Sequence, residues 1–181
     1  MAKIRSVSRM FRFLFLAAML LPIFSVCSWL WLGPENGSVI LQVSPLSHGL
    51  EEFIPSQGLD MQQRLLGMAA QAVPAAVNMF LYWQLAVLFG LYSKGEIFTS
   101  GNVACYRRTA FALLASQVLG PLYQAAASLV LTMNNGPGHR TIAVGLDNYD
   151  LAEVLIAVVI IVIAWVMDEG RKLKDEEALV I

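Results

Sequence analysis

The sequence predicts an all-α membrane protein: four transmembrane helices with a small extracytoplasmic loop and β cap. Three observations predict it. Hydrophobic residues make up 57% of the 181-residue chain and charged residues only 14%, against roughly 45–50% and about 25% in soluble domains. Four apolar runs are each long enough to cross, or nearly cross, a hydrocarbon core. Basic residues fall almost entirely on one side of the threading these runs imply.

The length suits one domain. The net charge of −1 supplies no field for nucleic acid, so direct nucleic-acid binding is not expected. Two cysteines, Cys27 and Cys105, make no disulfide framework and no zinc-site spacing.

Residues 1–12 carry Lys3, Arg5, Arg9 and Arg12 with no acid, and Phe13–Leu32 is free of charge. A basic start and an apolar run also describe a signal peptide. This run exceeds the roughly 7–15 residues of a signal core, and no small-x-small cleavage site follows it. The first span is therefore placed at about 13–32, with Trp29 and Trp31 as interfacial rings at its far end.

Residues 33–64 form a long loop with acids, three prolines and a short β-prone run, Val39–Val43. Leu65–Ser93 is uncharged, and the second span is placed at about 72–92, with Pro74 near its start. The third span, about 109–133, has Gly120-Pro121 near its middle, where a kink is expected. Ala112, Ser116, Gly120, Gln124 and Ser128 recur every four residues, a ridge that lets a neighbouring helix come close. Asn134-Asn-Gly-Pro-Gly138 is a turn. Arg140–Leu146 then alternates with period two, so a short strand pairing with Val39–Val43 is expected. The fourth span is placed at about 151–167, followed by a charged helical tail, 168–181, in which Asp168 and Lys172 are four apart.

Ten of the twelve basic residues precede the first span, lie between the second and third, or follow the fourth; only Arg64 and Arg140 lie on the other side. The positive-inside rule puts both termini in the cytoplasm of a multi-pass protein.

Candidate functional residues fall into three groups. In the central connection, Gly95 is suited to a left-handed helix cap and Thr99 to an N-cap. Ile97, Phe98 and Tyr106 can rest on lipid while Arg107 and Arg108 meet headgroups. A docking surface for a cytoplasmic partner is the functional alternative for the same stretch, including Glu96 and Asn102. Inside the spans, Asn78 and Gln84 match Gln124 and Gln117 in depth, and with Ser116 and Gly120 they are candidates for helix packing. An interhelical bond of this kind is worth about 0.6 kcal/mol. A polar transport path is the alternative, although no ionisable residue lies deep in any span, which argues against an ion relay. At the outer surface, Arg140 and Glu153 are a candidate ion pair. His48 and His139 belong to no recognised ligand motif, and no catalytic, cofactor or metal residues are expected.

Three stretches carry a resemblance: Gly95-Glu-Ile-Phe-Thr-x-x-Asn102, Pro137-Gly-His-Arg140, and Trp165-Val-Met-Asp-Glu-Gly-Arg171-Lys-Leu173. Over roughly residues 65–181 the chain resembles a bacterial membrane family known only as a domain of unknown function, number 2975. The resemblance implies a four-helix inner-membrane protein, often encoded beside a small helix-turn-helix regulator, with no established catalytic residues. Where the family often has Pro-Glu after the capping threonine, this chain has Ser100-Gly101.

The expected function is that of a non-enzymatic accessory or sensory protein of the bacterial inner membrane, acting through a partner such as the small regulator. The alternative is a small transporter or channel subunit, which needs a homo-oligomer because four short helices enclose little space.

Overall fold

The computed structural model describes residues 2–33, 50–136, 138–145 and 148–177. Among the described residues five α-helices run in order: α1 (Ala2–Ala18), α2 (Leu20–Cys27), α3 (Met61–Lys94), α4 (Ser100–Thr132) and α5 (Asn148–Glu177). Among the described residues there is no strand. Four helical stretches are long and apolar enough to cross a membrane: Arg5–Leu30, Met61–Lys94, Ser100–Thr132 and Leu151–Glu176.

The first stretch breaks at Met19, between α1 and α2. Pro22 explains it. A proline has no amide for the carbonyl four residues back, here Ala18, and its ring crowds that carbonyl. By contrast, α3 runs through Pro74 and α4 through Pro121 without a break. The long α3 begins well before the span proper, so Pro74 is an interior residue and not a helix starter.

Many large apolar side chains face outward, and several polar ones are buried. Buried positions include Gln63, Gln84, Asn102, Thr109, Ser128 and Thr132, while Phe13, Leu14, Phe111, Val118, Leu155 and Val159 are exposed. In α5 the fully enclosed residues are Ala157 and Ala164, seven apart on one stripe. Small residues on the packed stripe and large apolar ones outside are what a lipid solvent requires.

The chain divides into two compact units, one of Met1–Leu20, Asn78–Ala115 and Asn148–Ile181, the other of Leu21–Val77 and Ser116–Asp147. In the first, Phe11 and Phe15 of α1 stack on Phe89 of α3 with ring centroids 5.1 and 5.5 Å apart. Phe89 meets Tyr92 edge-on.

The second unit has a closed apolar core of Trp29, Leu32, Leu50, Leu59, Tyr123, Ala127 and Leu131. Trp29 is thus not the interfacial ring expected; it is 2% exposed, while Trp31 is exposed. The loop contributes through a 3-10 turn, Glu51–Phe53, with Phe53 and Ile54 packed on the core. Polar groups tie the helix ends. Gln63 takes the Asp60 amide on its Oε1 (3.0 Å), and its Nε2 donates to the carbonyls of Val130 (3.0 Å) and Leu131 (3.3 Å). Arg64 donates to the carbonyls of Leu59 and Leu30.

Residues 140–145 do not form the strand their alternation predicts; alternate amides of the segment bond to a helix instead. The amides of Thr141, Ala143 and Gly145 donate to Thr132 Oγ1 (3.1 Å), Ser128 Oγ (2.9 Å) and Gln124 Oε1 (2.7 Å). Two extended residues advance about 6.6 Å and four helical residues about 6.0 Å, so three rungs stay in step. Ile142 and Val144 point outward and are exposed. The four-residue ridge of α4 therefore receives the amides of residues 141–145 over Gln124–Thr132. The proposed strand partner, 39–43, lies outside the described residues. Ser128→Ala should cost about 1 kcal/mol, the net value of one such bond, and speed hydrogen exchange at the Ala143 amide. Unchanged exchange there would show that the rung does not hold the segment.

Candidate functional site

The connection from α3 to α4 lies within the first unit and is built by local rules. Gly95 has φ +87°, the left-handed region that favours glycine. Its amide donates to the Tyr92 carbonyl (3.0 Å) and the Glu96 amide to that of Leu91 (3.1 Å). These two bonds are a Schellman cap, and Lys94 adds positive charge to the last turn, where the helix dipole favours it. The Arg5 guanidinium lies beside Gly95, with Nη2 3.5 Å from where a Cβ would stand.

Four residues after Gly95, Thr99 caps α4. Its Oγ1 accepts the Asn102 amide (3.4 Å) and its hydroxyl donates to Asn102 Oδ1 (2.5 Å). Asn102 is fully buried, and its Nδ2 donates back to the Glu96 carbonyl (3.0 Å). One side chain thus fastens the loop to the first turn of α4. At Gly101, a Cβ would meet Leu91 Cδ1 at 3.3 Å, so small size suits this chain where it departs from Pro-Glu. The hydroxyls of Tyr92 and Tyr106 are 2.6 Å apart and link the end of α3 to the start of α4.

α5 closes the arrangement. The Phe98 ring lies against Gly170, with Cδ1 and Cε1 3.1 Å from where a Cβ would be. Asp168 receives Arg107 at 3.7 Å and Arg171 at 3.2 Å, with Lys172 at 4.0 Å. Arg171 also holds Asp175 at 2.9 Å. Arg107 and Lys172 are about half exposed, so such pairs are individually worth about 0–1 kcal/mol. Their effect is to fix which faces of α4 and α5 meet.

Two of the three stretches singled out in the sequence therefore come together, through Phe98–Gly170 and Arg107–Asp168. Of the loop candidates, Gly95, Thr99 and Asn102 build the loop; Glu96, Arg107 and Arg108 are exposed. The third stretch belongs to the second unit, where Gly138 takes φ +89° and the His139 amide closes a turn on the Gly136 carbonyl. Among the span candidates, Gln84, Ser116 and Gly120 are buried, and Asn78, Gln117 and Gln124 are half-buried. Gln124 serves the Gly145 amide. Arg140 and Glu153 are both exposed and belong to different units. Nothing local marks Asp168 and Gly170 as partners of the loop; the hint is their place in the stretch Trp165–Leu173. Among the described residues, no group of three His, Cys, Asp or Glu side chains could hold a metal.

The four long apolar helices and their exposed apolar side chains define the class, a multi-pass integral membrane protein. The chain belongs to the family described as Protein of unknown function (DUF2975), which it matches over residues 16–181. That match takes in the first loop and most of the first span. No curated protein and no solved structure matches the chain.

Proposed function

We propose that this is a non-enzymatic accessory or sensory protein of the bacterial inner membrane. Both termini and the Lys94–Arg108 connection face the cytoplasm, and the loops of the second unit form a small outer cap. It works through a cytoplasmic partner, a small helix-turn-helix regulator being the first candidate. One observation carries the reading. The α3–α4 connection is shaped by Gly95, Thr99 and Asn102 and packed on α5 at Gly170, while Glu96 and part of Phe98 stay exposed. A fixed surface with an exposed acid and an exposed ring suits recognition by another protein, whereas a mere linker between spans needs none of this. Binding to a preformed loop also avoids the cost of ordering it.

The topology is tested in a Cys27→Ala, Cys105→Ala background. A membrane-impermeant maleimide should label Ser56→Cys in intact cells, and Glu96→Cys only after permeabilisation. Labelling of Glu96→Cys from outside would refute the orientation. For the partner, affinity capture of the tagged, detergent-solubilised protein should recover a DNA-binding protein, and Glu96→Lys should lose it. Solute flux through purified protein in liposomes, with no such partner recovered, would favour the transporter or channel subunit.

A further inference from the structure

A cleft of about 360 Å³ lies between α4 and α5 in the first unit, lined by Ser100, Val103, Ala104, Arg107, Arg108, Phe111, Asp168 and Arg171. Its position along both helices is defined by charge. Arg108 is the last charged residue before the apolar run Thr109–Met133, and Asp168 is the first after the run that ends at Met167. The cleft thus sits at the level where charge gives way to hydrocarbon on both helices at once. Phe111, a turn beyond Arg107 and Arg108, is 65% exposed and forms an apolar wall below the charged storey.

The charges do not cancel. Three guanidinium groups line the cleft with one carboxylate, Asp168. Asp168 is shared between Arg107 and Arg171, and Arg171 also holds the exposed Asp175. None of the ion pairs among the described residues includes Arg108. Guanidinium groups match phosphate oxygens in geometry as well as charge, and basic pockets between transmembrane helices take anionic headgroups. We propose that this cleft is a binding site for an anionic glycerophospholipid, its phosphate held by Arg108 with Arg107 and Arg171, and an acyl chain lying over Phe111. The site depends only on the helices spanning a membrane and not on any cytoplasmic partner.

Native mass spectrometry of the detergent-solubilised full chain tests it, with phosphatidylglycerol and phosphatidylcholine of identical acyl chains as probes. Phosphatidylglycerol should be retained preferentially as one tightly bound copy. Arg108→Gln should weaken its retention roughly five-fold, the effect of one basic residue at an anionic lipid surface. Lys174→Gln, an exposed charge outside the cleft, should leave it unchanged. Equal retention of the two lipids by the unaltered protein overturns the proposal, and that comparison needs no variant to fold. Equal weakening by Arg108→Gln and Lys174→Gln also overturns it, because the attraction is then diffuse. If glycerol 3-phosphate displaces phosphatidylglycerol at stoichiometric concentration, the site is one for a soluble phosphate, and the lipid assignment fails.

Discussion

Gly67→Ala is expected to destabilise the protein by about 2–3 kcal/mol, the upper range for overpacking a filled core. Alanine is the better helix former by up to about 1 kcal/mol, so propensity alone predicts the opposite sign. The added Cβ would stand 2.1 Å from Trp29 Cε3 and 2.4 Å from Cζ3, well inside contact distance. The obstacle is a flat ring that is itself buried with Leu32, Leu50, Leu59, Tyr123, Ala127 and Leu131, and it has nowhere to swing. Gly90 in the same helix is the control. Its nearest neighbour is the flexible Arg12 chain at 3.7 Å, an ordinary contact, so Gly90→Ala should be neutral or stabilising. Thermal unfolding in detergent reads both. Trp29→Leu should relieve most of the Gly67→Ala penalty in a double-mutant cycle. Equal effects at Gly67 and Gly90 would mean that the ring does not rest on α3.

Gly67 carries no local mark in the sequence. A tryptophan at the end of an apolar run has a ready explanation as an interfacial ring, and nothing near Trp29 in sequence points to a glycine 38 positions on. The spans, by contrast, are legible because their signal is local and cumulative: long runs without charge. Helix caps are local as well, and Gly95 and Thr99 stand where their chemistry placed them. The segment 140–145 is an intermediate case. Its alternation suggests a strand, which the described residues do not form, and the four-residue recurrence on α4 is equally visible. Their conclusion as separate features, a strand for one and a helix-packing ridge for the other, missed that the two pitches nearly coincide. Asp168 was read as the partner of Lys172 because that pair is local. Its contact with Arg107, 61 residues earlier, needs the fold.

Asn102→Ala is expected to cost about 2–3 kcal/mol and to loosen the loop that the proposed partner reads. The substitution removes two side-chain hydrogen bonds, each worth about 1 kcal/mol net, and leaves the Glu96 carbonyl and the Thr99 hydroxyl to find other partners. It also weakens the cap, since the Thr99 hydroxyl and the Asn102 side chain position each other at the start of α4. Because Asn102 is fully enclosed, water reaches these groups only if the loop opens. Hydrogen exchange should therefore accelerate at the Glu96 and Val103 amides, which donate to Leu91 and Thr99, while exchange in the Ala157–Ala164 stretch of α5 stays slow. Loss of the fixed loop should also free the Phe98 ring from Gly170. Glu96→Ala separates fold from recognition. Its side chain is exposed, so thermal stability should hold while recovery of the partner falls. Were Asn102→Ala to melt like the unaltered protein with its loop amides still protected, Thr99 alone would be holding the connection. The buried amide would then have no part in shaping the surface.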